Sequence, residues 1–485
     1  MGAELSRRSL FGAGALLAVP SLAFAQSKAK AKNVIFCVSD GMSMGALTLA
    51  DQLSKIRDGR PSYWARLMSQ AGMVNGLQDT RSLNSVVTDS SAAASAWGSG
   101  RHIWNGQVNM FPDGTKLRTL TQLMIEAGVR CGLVTTATIT HATPAGFCVN
   151  APSRDDQDRI AVEYLTSGVD VLMGGGSRYF DPAERKDKRD LFADFKGKGY
   201  EVVRDRDGLL KSSANKVLGL FNSSHVPYTV DRDNDPALAK VTPTLEEMAK
   251  KAIENLSKSP KGFLLQIEGA RIDHAAHSND VAGLVYDQLA FEDAVRVAID
   301  FAKRDGETLV VITSDHGNGN PGLNGYGSAY GDANLGLQSL LNHKASYGTI
   351  LKDLGLKATP AKAAEVVENR LGVKLTAAES EIVAGITDGK TPYGSSIFYR
   401  AANATLGVVL GNHSKVTWTS TNHTSDHVLV TAFGPGSQAF HGLTANTSYF
   451  DTILAAKDLR HENPRMTYEV AKPLWEKMKE KTTDG

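Results

Sequence analysis

The chain has 485 residues, of which 42% are hydrophobic, so it is long enough to bury a large core. The charges of its 53 basic and 52 acidic residues nearly cancel, which excludes a strongly basic protein that binds nucleic acid or a membrane surface. Electrostatic effects are therefore expected only at a local site. The three cysteines, Cys37, Cys131 and Cys148, lack a CxxC spacing. They exclude a thiolate metal site and favour buried free thiols, although one bonded pair stays open.

The first 25 residues predict an export signal. A twin-arginine pair lies at Arg7 and Arg8, and an apolar stretch at residues 11–24 runs into a small-residue cleavage pattern at 23–25. This stretch is too short to span a bilayer, so we expect no membrane anchor. The sequence therefore predicts a periplasmic or secreted protein of residues 26–485, exported by the twin-arginine route.

Apolar runs that end in polar residues recur along the mature chain. The first, residues 33–38, ends at Ser39-Asp40-Gly41, and the others are residues 130–135, 169–173, 263–267, 308–313 and 428–433. Helical patterns lie between them, notably at residues 244–257 and 280–303. This alternation predicts an α/β fold, doubly wound, with a mostly parallel central sheet and helices on both faces. We interpret the glycine triplet at residues 174–176 as a turn.

The composition changes after His316. Residues 317–331 are rich in Gly, Asn and Tyr, and two short helical patterns follow at residues 361–370 and 376–384. Sheet-like sequence resumes only at residue 428. We therefore predict one domain over residues 26–485, with residues 318–422 as a large insertion near the active-site end. Such an insertion either covers a site or forms a partner interface, and the sequence leaves both open.

A serine stands at the start of an Ala-rich helical run. Asp89 and Ser90 follow a short apolar approach and precede residues 92–96, which have high helix propensity. Backbone N–H groups are unpaired at such a helix start, so Ser90 would be a nucleophile in an anion site. The alternative is a simple helix N-cap, which this motif alone does not exclude.

Three further motifs carry metal-ligand chemistry. Asp273 and His277 are four residues apart, so on a helix both face one way, although surface histidines at a helix start are the alternative. Asp315 and His316 directly follow a buried strand, where such a pair seldom serves packing. His423 adds a third imidazole just before a strand, with a solvated loop residue as the alternative.

The donors are sufficient for three cations. Two zinc-like ions would take oxygen and nitrogen ligands from Asp40, Asp273, His277, Asp315, His316 and His423. An all-oxygen set that suits magnesium comprises Asp40, Thr143 and Glu268. Beside two such ions the Ser90 hydroxyl can ionise at neutral pH. Arg154 can hold a phosphoryl group bidentately, with a surface charge as the alternative.

In order and spacing these motifs resemble those of the alkaline phosphatase family. The resemblance covers residues 33–317 and 423–455 and rests on Asp40-Gly41-Met42, Thr88-Asp89-Ser90 with the helix to Trp97, His141-Ala142-Thr143-Pro144, Glu268 to Asp273 with His277, Asp315-His316, and His423-Thr424. It implies hydrolysis of small-molecule phosphate monoesters through a phosphoserine on Ser90. It also favours a homodimer, although the insertion could equally serve to block one.

The resemblance also implies which residues bind each metal ion. One zinc would bind Asp40, Asp315 and His316, and the other would bind Asp273, His277 and His423. Magnesium would bind Asp40, Thr143 and Glu268, while Arg154 would hold the non-bridging phosphate oxygens.

The sequence departs from the family pattern at three positions. Ser91 stands where the family usually has alanine, but Ser90 directly follows Asp89 and is the expected nucleophile. His141 and His274 stand where the enteric bacterial type has Asp and Lys, and we assign both to substrate binding. An imidazole at 141 should hold hydrated magnesium less firmly than a carboxylate does, so we expect a weak third metal.

Two other functions stay open. A phosphodiesterase on the same scaffold is one, although its relatives usually use threonine; a sulfatase would need a C/S-x-P-x-R motif, which Ser90 lacks. The other is a non-catalytic metal- or phosphate-binding protein of the cell envelope, which would need the donors but no nucleophile. His102 and Trp104 lie close to the Ser90 helix, but we expect them to serve packing.

Overall fold

A computed structural model describes residues 30–393, 396–399 and 401–483, so the predicted signal peptide lies outside the described residues. The strands are β1 Asn33–Ser39, β2 Val74–Asp79, β3 Arg130–Thr138, β4 Val171–Gly175, β5 Glu201–Val203, β6 Val217–Leu220, β7 Phe263–Gly269, β8 Thr308–Thr313, β9 Gly317–Asn318, β10 Gly322–Leu323, β11 Val416–Thr417, β12 His423–Thr424, β13 Val428–Phe433 and β14 Gly442–Ala445.

The helices are α1 Met44–Asp58, α2 Tyr63–Leu67, α3 Ser90–Ser99, α4 Leu120–Glu126, α5 Ala142–Cys148, α6 Gln157–Ser167, α7 Leu191–Gly197, α8 Arg206–Lys211, α9 Thr229–Asp233, α10 Pro236–Val241, α11 Leu245–Leu256, α12 Arg271–His277, α13 Val281–Asp305, α14 Asp332–Ser339, α15 Tyr347–Leu354, α16 Pro360–Leu371, α17 Ala377–Ile386, α18 Ala402–Ser414, α19 Ser448–Ala456 and α20 Tyr468–Thr483. In the part of the chain that the structure describes, none of them combines the length and apolar character that crossing a bilayer requires.

Ten strands form one sheet, in the order β14-β2-β13-β8-β1-β7-β3-β4-β6-β5. Neighbouring strands run parallel except at β13, which is antiparallel to both β2 and β8. The predicted α/β fold with a mostly parallel sheet is therefore confirmed. The carboxyl ends of β8, β1, β7 and β3 meet at one edge of the sheet, which is where ligands gather in folds of this kind.

The central strands are apolar because both of their faces are covered. All seven residues of β1 are buried. Ile35 and Cys37 pack on one face with side chains of α1, α11 and α13, whereas Val34 and Phe36 pack on the other with side chains of α3, α5 and α19. Full burial of each such side chain contributes about 1.5–3 kcal/mol, so the two layers fix the strand register.

The predicted helices and thiols agree with the structure. In α11, Thr244 Oγ1 accepts the N–H of Glu247 at 3.1 Å and a Glu247 carboxylate oxygen accepts the N–H of Thr244 at 3.0 Å, so the chain has the predicted capping box. Asp280 caps α13 by accepting the N–H of Gly283. Cys37, Cys131 and Cys148 are buried free thiols. The turn predicted at residues 174–176 is wrong for Gly174 and Gly175, which end β4, and is confirmed at Gly176, which has a φ of +90° and begins a turn over Ser177–Tyr179.

Residues 318–422 contain α14 to α18, of which the sequence predicted α16 and α17. The last four of these helices share a hydrophobic core of their own, which includes Tyr347, Ile350, Val367, Val383 and Leu406. The domain and insertion boundaries given above stay predictions.

A buried carboxylate in α13 leads to a prediction about pH. Glu292 is 1% exposed; its Oε2 accepts the N–H of Trp64 at 2.8 Å and its Oε1 accepts Gln288 Nε2 at 3.3 Å. Burial raises the pKa of Glu292 to about 7. Because the folded-state pKa is raised, Glu292 favours folding at pH values below its ordinary pKa of 4.5, and this contribution is lost as the pH rises through 7.

We therefore expect the free energy of unfolding of Glu292→Gln, relative to that of the wild type, to increase by about 2–3 kcal/mol when the pH is raised from 5 to 8. The glutamine keeps the size of the side chain but cannot ionise. Urea unfolding of both proteins at the two pH values measures the difference. A difference in unfolding free energy that is the same at both values would contradict the assignment.

Candidate active site

The site lies at the carboxyl edge of the three central strands. β1 lies between β7 and β8, and its register aligns Val38 with Glu268 of β7. Asp40 directly follows β1, and Asp315 lies just beyond the end of β8. The parallel sheet therefore gathers carboxylates that are 228 and 275 positions from Asp40 in the sequence.

Two further elements bring the remaining donors. α12 carries Asp273 and His277, and β12 pairs with β9 so that His423 lies opposite Asn318. Asn318 Nδ2 donates to Asp273 Oδ1 at 2.7 Å. Gly41 has a φ of +69°, and a Cβ there would lie 2.5 Å from Asp273 Oδ1. Only glycine lets the loop after β1 approach α12 this closely.

The carboxylates of this site are buried together. Asp40, Glu268 and Asp315 have no exposed surface, and Asp273 is 4% exposed. Burial, reinforced by the other three carboxylates, raises the pKa of Asp40 well above its ordinary value, and neither of its oxygens accepts a hydrogen bond. Burial also raises the pKa of Glu268 to about 7, although its Oε2 accepts the Thr135 hydroxyl at 2.5 Å. Such a cluster is costly unless cations neutralise it.

Two imidazoles point their lone pairs at each other. His277 Nδ1 lies 2.6 Å from the carbonyl oxygen of Thr421, and His423 Nδ1 lies 2.9 Å from that of Thr88. A carbonyl only accepts, so each Nδ1 carries the proton and each Nε2 presents a lone pair. The two Nε2 atoms are 3.0 Å apart, and Asp273 oxygens lie 3.4 and 3.5 Å from them. This is how metal-ligating histidines are oriented.

The histidines also shift the pKa of the neighbouring carboxylate. Burial raises the pKa of Asp273, but when His277 and His423 carry a second proton their positive charges outweigh burial and hold that pKa well below its ordinary value. The carboxylate therefore stays ionised and available as a ligand.

Three sets of donors each lie within reach of a single cation among the described residues. They are Asp40 with Asp315 and His316, Asp273 with His316 and His423, and Asp40 with His141 and Glu268. The first is the predicted zinc set. The second contains Asp273 and His423 of the other predicted set, and His277 is adjacent. The third brings in His141, which the sequence analysis assigned to substrate binding; the Thr143 hydroxyl is buried without a hydrogen-bond partner.

The donor chemistry fits divalent cations. All of these ligands are carboxylate oxygens and imidazole nitrogens, which zinc and magnesium accept. The buried oxygens without hydrogen bonds, on Asp40, Glu268 and Asp315, are the groups that a cation would satisfy.

The helix α3 distinguishes the two adjacent serines. Asp89 caps this helix, and its Oδ1 accepts the N–H of Ala92 at 2.9 Å. Ser90 Oγ lies 3.2 Å from His316 Nε2. Ser91 Oγ instead donates to Asp89 Oδ2 at 2.8 Å. One hydroxyl therefore faces the clustered donors, and the other is held by the cap.

Arg154 lies beside the same cap. Its Nη1 donates to Asp89 Oδ2 at 3.1 Å, and its Nη2 lies 3.3 Å from His141 Nε2. The same Asp89 oxygen accepts the N–H of Gly106 at 2.9 Å, while the Arg154 N–H donates to the Gly106 carbonyl at 2.8 Å. Asp89 thus connects the guanidinium to the helix that carries Ser90.

The two aromatic residues expected to pack do so. His102 Nε2 lies 2.8 Å from Asn446 Oδ1, and Trp104 stacks on Tyr468 and Trp475 with ring centroids 6.0 and 5.3 Å apart. Neither is among the donor sets described above.

One histidine of this region was missed by the sequence analysis. His225 lies with its ring centroid 4.4 Å from that of His274 and 6.0 Å from that of His141. No motif surrounds it, and it reaches the site only because the loop after β6 lies over the end of β4. The glycines that end β4 were the one signal in the sequence.

The site has a serine hydroxyl among oxygen and nitrogen ligands for divalent cations, at the carboxyl edge of a parallel sheet. This arrangement is typical of metal-dependent hydrolases. Fold and site together place the chain in that class. The family model for alkaline phosphatase matches residues 31–459. The chain therefore belongs to the alkaline phosphatase family, and it is a phosphoric monoester hydrolase.

Similar proteins support the same assignment. Alkaline phosphatase 4 of Bacillus subtilis (strain 168) is 33% identical over 436 residues, which cover 88% of this chain and 89% of that protein. The crystal structure of Thermus thermophilus alkaline phosphatase superimposes with a TM-score of 0.88 at 36% identity, covering 92% of this chain and 96% of that one. A cold-active alkaline phosphatase from a psychrophilic Shewanella species gives a TM-score of 0.74 at 26% identity, covering 88% and 100%.

Proposed function

We propose that the chain is an exported alkaline phosphatase that hydrolyses phosphate monoesters through a phosphoserine at Ser90. The observation that carries this proposal is the position of the Ser90 hydroxyl, 3.2 Å from His316 Nε2, while the Ser91 hydroxyl donates to Asp89. A nucleophile has to be free of competing hydrogen bonds and next to the groups that activate it.

For the cofactors we propose two zinc ions and one weakly held magnesium ion. Asp40, Asp315 and His316 would hold one zinc, and Asp273, His277 and His423 would hold the other. Magnesium would bind Asp40, Thr143 and Glu268, with His141 close by. When bound, the cations neutralise the buried carboxylates, favour ionisation of a nearby hydroxyl and stabilise charge on a leaving oxygen.

The residues of the chain then have defined tasks. Ser90 Oγ attacks phosphorus in line with the leaving oxygen, and water later hydrolyses the phosphoserine. Arg154 binds two non-bridging oxygens through its guanidinium, which Asp89 orients by its 3.1 Å hydrogen bond. Because the N–H groups of Ala92 and Ala93 donate to Asp89, those of Ser90 and Ser91 at the start of α3 would favour the negative charge of the same phosphate. His141 and His274 bind the phosphate from the side of Arg154.

The remaining proposals concern the whole protein. We propose export by the twin-arginine route and a mature chain of residues 26–485 that forms a single domain with residues 318–422 inserted. Large apolar side chains are exposed in this insertion, among them Tyr326 at 84%, Tyr330 at 73% and Ile397 at 64%. Exposed apolar surface of this kind supports a partner interface, and we propose a homodimer.

The test of the function is a comparison of two substrates. Metal-loaded enzyme should hydrolyse p-nitrophenyl phosphate with a kcat/KM far above that for bis-p-nitrophenyl phosphate, because Arg154 and α3 suit a dianionic phosphoryl group. A preference for the diester would make the protein a phosphodiesterase on this scaffold. Metal binding without turnover of either substrate would make it a binding protein.

A further inference from the structure

The C-terminal part of the chain packs against the loop of residues 101–106, which follows α3. Residues 461–478, which we call the C-terminal strap, come after the stretch that the family model matches and include much of α20. Trp104 of the loop stacks on two rings of the strap: its ring centroid lies 6.0 Å from that of Tyr468 and 5.3 Å from that of Trp475. Trp104 is 9% exposed. The strap therefore supplies the aromatic surface on which Trp104 packs.

A buried asparagine anchors the strap at the C-terminal end of α3. Asn463 is 3% exposed, and its Nδ2 donates to the carbonyl oxygens of Ser99 and Arg118, each at 2.8 Å. Its Oδ1 accepts the N–H of Arg118 at 2.8 Å, and its own carbonyl accepts Arg101 Nε at 2.8 Å. Because both ends of this buried amide are satisfied, the strap has one defined position here.

An apolar contact connects the strap with the N-terminal end of α3. Met466 packs against a small core that is formed by Ala92, Ile103, Phe111 and Leu117. Ala92 lies in the first turn of α3, two residues after Ser90, and Ile103 belongs to the loop. The strap therefore contributes to packing at the start of the helix that carries Ser90 as well as at its end.

The loop of residues 101–106 bonds to the groups on the phosphate side of the site. It forms neither helix nor strand, so its position depends on the contacts that surround it. Asn105 Oδ1 accepts the N–H of Asp89 at 3.2 Å, and the N–H of Gly106 donates to Asp89 Oδ2 at 2.9 Å. The Gly106 carbonyl accepts the N–H of Arg154 at 2.8 Å. A shift of the loop would therefore move both Asp89 and Arg154.

We propose that the C-terminal strap positions Arg154 for phosphate by holding Trp104, and with it the loop that bonds to Asp89 and Arg154. Trp104 and Trp475 are then positioning residues that act through Arg154. This inference rests on the proposed function, in which Arg154 binds two non-bridging oxygens of the phosphoryl group. Bidentate binding requires one orientation of the guanidinium, so even a small displacement weakens it.

The kinetic test replaces Trp475, which lies on the strap and outside the loop. Trp475→Ala removes the ring that stacks on Trp104, whereas Trp475→Phe keeps an aromatic ring there. We expect Trp475→Ala to raise KM for p-nitrophenyl phosphate by about fivefold, the size expected for the loss of one aromatic pair, while kcat changes by less than about twofold. Trp475→Phe should stay near the wild type, as should Glu476→Gln at the exposed neighbouring position. An unchanged KM in Trp475→Ala would overturn the proposal.

A second substitution separates this role from a general effect on folding. In an Arg154→Ala background the guanidinium that the strap positions is absent, so adding Trp475→Ala should cause no further rise in KM. An equal rise with and without Arg154 would overturn the proposal. Should Trp475→Ala not fold, Trp475→Leu takes its place with the same expected results, because leucine keeps apolar volume but cannot stack.

A binding measurement separates this proposal from the proposed function. Orthophosphate should bind the metal-loaded wild type more tightly than metal-loaded Trp475→Ala by about fivefold. Calorimetric titration measures both affinities without turnover. If p-nitrophenyl phosphate is not hydrolysed but this difference is found, the proposed function fails and the role of the strap stands. Equal affinities in both proteins would overturn the role of the strap whatever the activity.

Discussion

Alanine at position 90 is expected to lower kcat for p-nitrophenyl phosphate by at least about 10³-fold, because the attacking oxygen is removed. The remaining rate would come from binding and electrostatic stabilisation by the other groups of the site. Folding should be little affected, since Ser90 is the first residue of α3 and the cap hydrogen bonds belong to Asp89. Steady-state kinetics on metal-loaded protein measures the loss.

Ser91→Ala is the matched control. Its hydroxyl donates to Asp89 at 2.8 Å, and removing one such hydrogen bond costs about 0.5–1.5 kcal/mol. We therefore expect kcat for p-nitrophenyl phosphate to fall by less than about tenfold, because Asp89 and its partner Arg154 would be less firmly positioned. If Ser91→Ala were the inactive variant and Ser90→Ala the active one, the assignment of the nucleophile would be wrong.

Removing the metal ions is expected to abolish activity and lower the melting temperature. Asp40, Glu268, Asp273 and Asp315 are buried together, and without cations their charges repel at close range. Ions that bind only the folded state, at about a thousand times their dissociation constant, stabilise it by about 4 kcal/mol. Dialysis against a chelator should abolish activity and lower the melting temperature. Addition of zinc and magnesium should restore both. A protein that is equally stable with and without chelator would contradict the site.

The substitution Asp40→Asn tests the same prediction at a single proposed ligand. Both oxygens of Asp40 lack hydrogen-bond partners, and burial raises the pKa of this carboxyl well above its ordinary value. The substitution therefore removes an unfavourably buried carboxyl from the metal-free protein and a ligand from the loaded one. We expect the variant to melt at a higher temperature than the wild type after chelation and at a lower temperature after metal addition. Glu292→Gln, which removes a buried carboxylate that belongs to none of the donor sets, is the control: metal addition should raise its melting temperature as much as that of the wild type. Lower melting of Asp40→Asn in both conditions would argue against a role in metal binding.

Much of the site follows from where strands end in the sequence. Asp40, Glu268 and Asp315 come at the ends of apolar runs, and parallel strands bring their carboxyl ends to one edge, so their proximity is predictable without a structure. The spacing of Asp273 and His277 on one helical turn is equally local. The resemblance of the motifs to a known family added the expected roles.

Other features depend on contacts that no local pattern contains. β13 has the apolar sequence of a buried strand, but its antiparallel direction is set by its pairing with β2 and β8. β2 and β14 are partly exposed near one side of the sheet, so their sequences lack a continuous apolar run. His225 becomes part of the site through Gly175, whose small size matters only once the loop after β6 lies across it.

The most direct test of the account is to find which residue carries phosphate during turnover. Metal-loaded enzyme mixed with p-nitrophenyl phosphate and quenched rapidly in acid should give one phosphorylated peptide, with the phosphate on Ser90, and Ser90→Ala should give none. A phosphate on Ser91, or turnover without covalent phosphate at any quench time, would contradict a mechanism in which Ser90 is the nucleophile.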